Sequence, residues 1–210
     1  ENKRFGLSSV NRDAKFERLQ DDFSWLEQAG VVLPAYCVAE PAPPLLRTLR
    51  PNRFKLYASD CGMLLTQYPR KSTMDIIDGI GDSNFGAVYE NVVAQELVSA
   101  GFPLTYYNNN RKGEVDFLVE AADGKVLPVE VKSGKDYKRH AALGNLLRTA
   151  NYGIERAYVF SEHNLSVGEI EGKPVYYLPL YMTLCLGEEQ ELPGVDWHLA
   201  PPPFSDLEMS

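Results

Sequence analysis

Two short stretches of this sequence place acidic and basic side chains where they can act together. They are Gly113-Glu114-Val115-Asp116-Phe117-Leu118 and Val129-Glu130-Val131-Lys132. Each alternates polar with apolar residues, as a half-buried strand does, and alternate residues of a strand share a face. Glu130 and Lys132 therefore point one way, with Val129 and Val131 the other. Glu114 and Asp116 likewise share a face, with Val115 and Phe117 opposite. Between the stretches lies Ala122-Asp123-Gly124, a hairpin turn signature. A two-residue Asp123-Gly124 loop would set Asp116 opposite Val131 and aim it away from Glu130. A three-residue loop, 122–124 with Gly124 in the left-handed conformation, sets Asp116 directly opposite Glu130. The expectation is the three-residue loop, or a bulge at Pro128 with the same effect on parity.

In that register two or three carboxylates and one ammonium converge at the end of a strand pair. Carboxylates that close repel one another and raise each other's pKa. A divalent cation relieves the repulsion, and Mg²⁺ or Mn²⁺ suits an all-oxygen ligand set. The chemistry such a site serves is phosphodiester hydrolysis: the metal holds the phosphate and acidifies its bound water, while Lys132 orients that water or balances developing charge. The plainer reading is a solvated strand face, since acids and lysines are common on half-exposed strands.

The elements that must position these residues follow from periodicity. Residues 14–30 carry Phe16, Leu19, Phe23 and Leu26 at helical spacing, with Gly30 where a C-terminal cap belongs. Trp25 on that helix is read as packing. A strand over 31–38, the prolines Pro41, Pro43 and Pro44, and a second strand over 54–59 complete a partial winged-helix pattern. A Gly- and Asp-rich break, 75–83, follows. Its Gly79-x-Gly81 is no dinucleotide fingerprint, because position 84 is Asn84. A helix over 85–100 is expected next, capped by Asp82 or Ser83 and ended by Gly101. Strands over 104–107, 115–120 and 125–132, a helix over 137–150, strands over 157–161 and 175–178 and a helical turn near Tyr181 complete an α/β sandwich with a mixed sheet. The domains read as 1–74, partial winged helix and connecting segment; 75–186, the α/β domain; and 187–210, an acidic, Pro-rich tail.

Composition bounds the function. The chain has 210 residues and a net charge of −8, with 44% hydrophobic and 24% charged residues. That is ordinary for a soluble globular protein and argues against gripping nucleic acid by bulk charge. The longest apolar run, 175–186, is short for a membrane span and broken by Pro179. Cys37, Cys61 and Cys185 are odd in number and lack metal spacing, so buried free thiols in a reducing, cytoplasmic setting are expected. His140, His163 and His198 show no metal spacing either. No G-x-x-x-x-G-K-[ST] occurs, so ATP hydrolysis is not expected of this chain alone. No basic n-region or h-region precedes the first helix, as a secretory precursor would have.

Glu-Val-Asp followed across a hairpin by Glu-Val-Lys resembles the PD-(D/E)XK nuclease superfamily. The resemblance implies a restriction-endonuclease-like mixed sheet flanked by helices. It matches Asp116 to the first acidic position, Glu130 to the second and Lys132 to the lysine, with Mg²⁺ or Mn²⁺ as the cofactor. Glu90, in Tyr89-Glu90-Asn91 on the preceding helix, matches a further glutamate of many members; an ordinary exposed glutamate is the equal alternative. Val115-Asp116 stands where the superfamily is named for Pro-Asp. The runs Phe54-Lys55-Leu56-Tyr57-Ala58-Ser59-Asp60-Cys61-Gly62-Met63-Leu64 and Tyr89-Glu90-Asn91-Val92-Val93 are similar to the C-terminal domain attached to many bacterial and archaeal AAA-type ATPases. That resemblance implies an N-terminal ATPase module in the natural protein, in keeping with a first residue of Glu1.

Lys135, Lys138 and Arg139 cluster after the motif, with Arg111 and Lys112 across the hairpin. They read either as a positive rim for a DNA backbone or as a solubilising face. Tyr106 and Tyr107 read either as base-stacking or as packing. Two functions stay open: a metal-dependent nuclease, and a non-catalytic module that docks DNA or a protein for the ATPase.

Overall fold

The computed structural model describes residues 16–79 and 85–186. It shows a mixed α/β fold built on one eight-stranded sheet of order β2-β1-β3-β4-β5-β6-β8-β7. The elements are α1 (Phe16–Gln28), β1 (Val32–Val38), β2 (Leu49–Ala58), α2 (Cys61–Leu65), α3 (Arg70–Ile77), α4 (Gly86–Ser99), β3 (Thr105–Asn109), β4 (Gly113–Glu120), β5 (Val126–Val131), α5 (Ala141–Leu147), β6 (Ala157–Ser161), β7 (Ser166–Ile170) and β8 (Lys173–Pro179). A 3₁₀ turn, Leu180–Cys185, returns beside α4. β1 pairs parallel with β3, β5 with β6 and β6 with β8; the remaining pairs are antiparallel.

Each face of the sheet carries its own apolar layer. On one, Val93, Ala94 and Leu97 of α4 cover Phe117, Val129, Val131 and Phe160. On the other, Leu143, Leu146 and Leu147 of α5 cover Val115, Leu118, Val159 and Val175. α1 ends at Gly30, whose φ of +68° lets Val31 N–H bond back to the Leu26 carbonyl at 3.0 Å. The side chains of Phe16 and Leu19, the caps Asp82 and Ser83, His198 and the tail 187–210 lie outside the described residues.

Several expectations are corrected. The hairpin read as a wing forms the outer pair of the sheet, and its second strand runs through 49–58 rather than 54–59. Pro51 escaped the strand reading, yet it is tolerated at this edge: Tyr36 faces Phe54 and Cys37 faces Arg50, so residues 51–53 arch out of the ladder. The helix expected over 137–150 is only Ala141–Leu147, because Gly134 at φ +100° and a turn closed by Arg139 N–H on the Asp136 carbonyl occupy the residues before it. α2, α3 and β7 were not anticipated. Trp25 is 66% exposed rather than packed, and of the three thiols only Cys37 is buried.

α5 approaches β4 closely at Gly113. Gly113, at φ +95°, lies so close to the helix that an added Cβ would stand 2.8 Å from the Cβ of Ala142. Gly113→Ala combines a left-handed backbone penalty with overpacking, so unfolding free energy should fall by roughly 2–4 kcal/mol, measurable by urea denaturation. His140, just before the helix, is 7% exposed, packs on the Tyr177 ring and has no hydrogen-bond partner on either ring nitrogen. Burial, helped by the Lys132 ammonium, lowers its pKa to about 4. The unfolded chain therefore takes up the proton first, and this contribution to stability, complete above pH ~6.5, is lost as pH falls towards ~4. Comparing wild type with His140→Phe at pH 7.5 and pH 4.5 should show the wild type losing about 2–3 kcal/mol more over that interval.

Candidate functional site

The β4–β5 hairpin closes as the carboxylate geometry requires. Ala121 N–H bonds to the Lys125 carbonyl at 2.9 Å, leaving the three-residue loop 122–124 with Gly124 at φ +74°. The paired ladder runs from Glu120 opposite Val126 to Phe117 opposite Val129. One step beyond it, Asp116 and Glu130 come into register. There β4 departs from regular pleating: Thr105 faces Leu118 whereas Tyr107 faces Val115, so one extra residue is accommodated beside Asp116. This bulge corrects the expected alternation, because Val115 and Phe117 enter opposite layers rather than one. It also frees the Asp116 carboxylate, whose Oδ2 accepts Val131 N–H at 2.9 Å in place of a ladder carbonyl.

Asp116 and Glu130 are hydrogen-bonded to each other. Burial and the Asp116 charge push Glu130 well above the usual carboxylate range. Burial alone would raise Asp116 too, but Lys55, the bond from Glu130 and the Val131 N–H outweigh it and hold Asp116 low. The proton accordingly sits on Glu130, which donates to an ionised Asp116. Lys132 Nζ stands 3.8 Å from Glu130 Oε1, and its side chain is 31% exposed while Glu130 is buried. The pair is thus roofed by one ammonium that reaches solvent.

A second ammonium, which sequence reasoning missed, lies on the inner side. Lys55 of β2 is 2% exposed. Its Nζ is 2.8 Å from Glu114 Oε1, 3.8 Å from Glu90 Oε2, 4.0 Å from Asp116 Oδ1 and 5.0 Å from the Tyr106 ring centroid. Burial would discharge this lysine; the carboxylates of Asp116, Glu90 and Glu114 around it outweigh burial and keep it protonated. Glu90 also accepts from Tyr57 OH at 3.3 Å, and Glu114 accepts from the Asn108 amide. Glu90 is buried, so it is no ordinary exposed glutamate, and it meets Asp116 through Lys55. The available signal was the strand Phe54-Lys55-Leu56-Tyr57, where period two puts Lys55 and Tyr57 on one face.

The basic residues separate into two kinds. Lys135, Lys138 and Arg139 are exposed on the segment between β5 and α5, with Lys138 Nζ 5.6 Å from the Tyr137 centroid and 5.7 Å from that of Tyr177. Arg111 is exposed in the β3–β4 turn, whereas Lys112 Nζ is held by Thr149 Oγ1 at 3.0 Å and Tyr152 OH at 3.3 Å. Tyr106 and Tyr107 are buried in the two opposite layers, so neither presents a face on which a base can stack. Among the described residues no three His, Cys, Asp or Glu side chains are placed to hold one metal ion. Asp116 and Glu130 bring two carboxyl groups to one point, a donor number compatible with an ion such as Mg²⁺ that is commonly bound by one or two carboxylates.

Among the described residues no helix is long and apolar enough to cross a membrane. No curated protein and no solved structure matches the chain. Residues 85–181, from the start of α4 into the final 3₁₀ turn, match a family described as a domain of unknown function (DUF4143). That segment contains Glu90, Asp116, Glu130 and Lys132 but not Lys55.

Proposed function

We propose that this chain is the C-terminal part of an AAA-type ATPase-linked protein, with a restriction-endonuclease-like domain that binds DNA and hydrolyses its phosphodiesters. The observation that carries the reading is the convergence of Asp116, Glu130 and Lys132 at the point where the β4–β5 ladder ends. The resemblance of Glu-Val-Asp and Glu-Val-Lys to the superfamily signature supports it. Asp116 and Glu130 would hold Mg²⁺ or Mn²⁺, which when bound supplies a Lewis acid for the phosphate and an acidified water. Asp116 enters this role already ionised and fixed by the Val131 N–H. Glu130 must give up its proton to serve as a ligand, so cation binding is coupled to proton release. Lys132, half-exposed above the pair, is placed to meet the scissile phosphate or orient a nucleophilic water. Lys135, Lys138, Arg139 and Arg111 would contact flanking phosphates and position the strand without reading sequence. Lys112 contributes less, being committed to Thr149 and Tyr152.

A second reading, a docking module without catalysis, is favoured by one observation: Lys55, Lys132 and the proton on Glu130 already offset most of the charge of the four acids. The two readings separate in a single assay of single- and double-stranded DNA with Mg²⁺ or Mn²⁺. Cleavage in wild type that falls by roughly 10²-fold or more in both Asp116→Asn and Lys132→Ala, with unchanged thermal unfolding, supports the nuclease. Salt-sensitive binding that never leads to cleavage, whichever metal is supplied, would establish the docking module instead.

A further inference from the structure

The Lys55 ammonium is enclosed, at 2% exposure. It lies among Glu90, Glu114 and Asp116, closest to Glu114 at 2.8 Å, and over the face of Tyr106. It stands 4.0 Å from Asp116 Oδ1, while Oδ2 accepts Val131 N–H at 2.9 Å, so both oxygens of this carboxyl group are engaged. A divalent cation cannot use Asp116 without confronting this positive charge a few ångströms away.

We infer that Lys55 is the resident cation of the acidic pocket and competes with a divalent metal for Asp116, so that it sets how readily the pocket is loaded. This rests on the reading that the Asp116–Glu130 pair takes Mg²⁺ or Mn²⁺, and it adds a metal-controlling residue from β2, outside the segment that matches the family. Lys55 acts here as a positioning residue: it touches the ligands, not the substrate. Lys55→Met keeps the apolar stem and removes the charge, whereas Lys55→Arg keeps the charge.

The test is an Mn²⁺ titration followed by electron paramagnetic resonance of the free ion, with no DNA present. Lys55→Met should bind Mn²⁺ roughly tenfold or more tightly than wild type, and Lys55→Arg should not. The gain should vanish in Lys55→Met/Asp116→Asn, which shows that the ion sits in this pocket. Equal affinity in wild type and Lys55→Met, or no binding in either, would overturn the inference. Should Lys55→Met not fold without metal, Lys55→Met/Glu114→Gln is compared with Glu114→Gln, since removing both partners of the closest pair avoids a stranded charge. The same gain is then expected, and its absence is again decisive. A lack of DNA cleavage would defeat the catalytic reading while leaving this one intact, because the readout is the metal itself.

Discussion

Four acids cannot share a dry pocket unless something neutralises them, and the way this protein solves that problem organises its site. Glu90, Glu114, Asp116 and Glu130 arrive from one helix and two strands. Against them stand one enclosed ammonium, one half-exposed ammonium and one proton shared within the Asp116–Glu130 pair. Each compensates a different part: Lys55 the inner side, Lys132 the outer, the proton the middle. Charges buried at this depth are tolerated only in such company, because desolvation penalises each ion separately and breaking one pair strands its partner.

The same arrangement explains why two distant runs of the sequence belong together. Residues 54–64 hold the second half of β2 and most of α2, and residues 89–93 lie on α4. Lys55 meets Glu90 across the gap, and the buried Asn91 closes it from the next position, accepting Ala58 N–H at 2.8 Å and donating to the Ala58 carbonyl at 3.0 Å. The strand then stops: Asp60 caps α2 by accepting Met63 N–H at 2.8 Å, and Gly62 leaves room for that cap, since a Cβ there would stand 2.8 Å from Asp60 Oδ1. Charge pairing and backbone docking are thus interleaved residue by residue, so α4 cannot shift along β2 without disturbing the acids.

What the sequence disclosed and what it hid divide along the range of the interactions. The hairpin register could be read because the turn is local: Gly124 supplies a positive φ, the loop length sets parity, and parity brings Asp116 level with Glu130. α4, β5 and β6 were legible for the same reason, each carrying its own period. The bulge at Asp116 was not, because it depends on how β3 meets β4 rather than on any residue within β4. Nor was the end of the hairpin read as a wing, which joins the sheet through β1 and β3, two strands far apart in the chain. Lys55 was hidden twice over: it sits in that misplaced hairpin, and nothing local distinguishes a strand lysine bound for solvent from one bound for a pocket of acids. Tyr106 carried a false signal, an aromatic beside asparagines that resembles a stacking platform and in fact roofs the buried ammonium.

The segment that matches a family begins at α4, and this start has a physical consequence. It contains every acid of the pocket yet omits the cation that three of them face. Whatever the acids do, their ionisation in this chain is decided partly by β2, the outermost strand at its end of the sheet. An edge strand is the element of a sheet most easily displaced, being paired on one side only. A buried counter-charge mounted there can be withdrawn at less cost than one mounted on a central strand such as β4 or β5, whose movement would break two ladders. The placement of Lys55 therefore ties the electrostatics of the pocket to the edge of the sheet, while Glu114, Asp116 and Glu130 are carried by the interior strands β4 and β5.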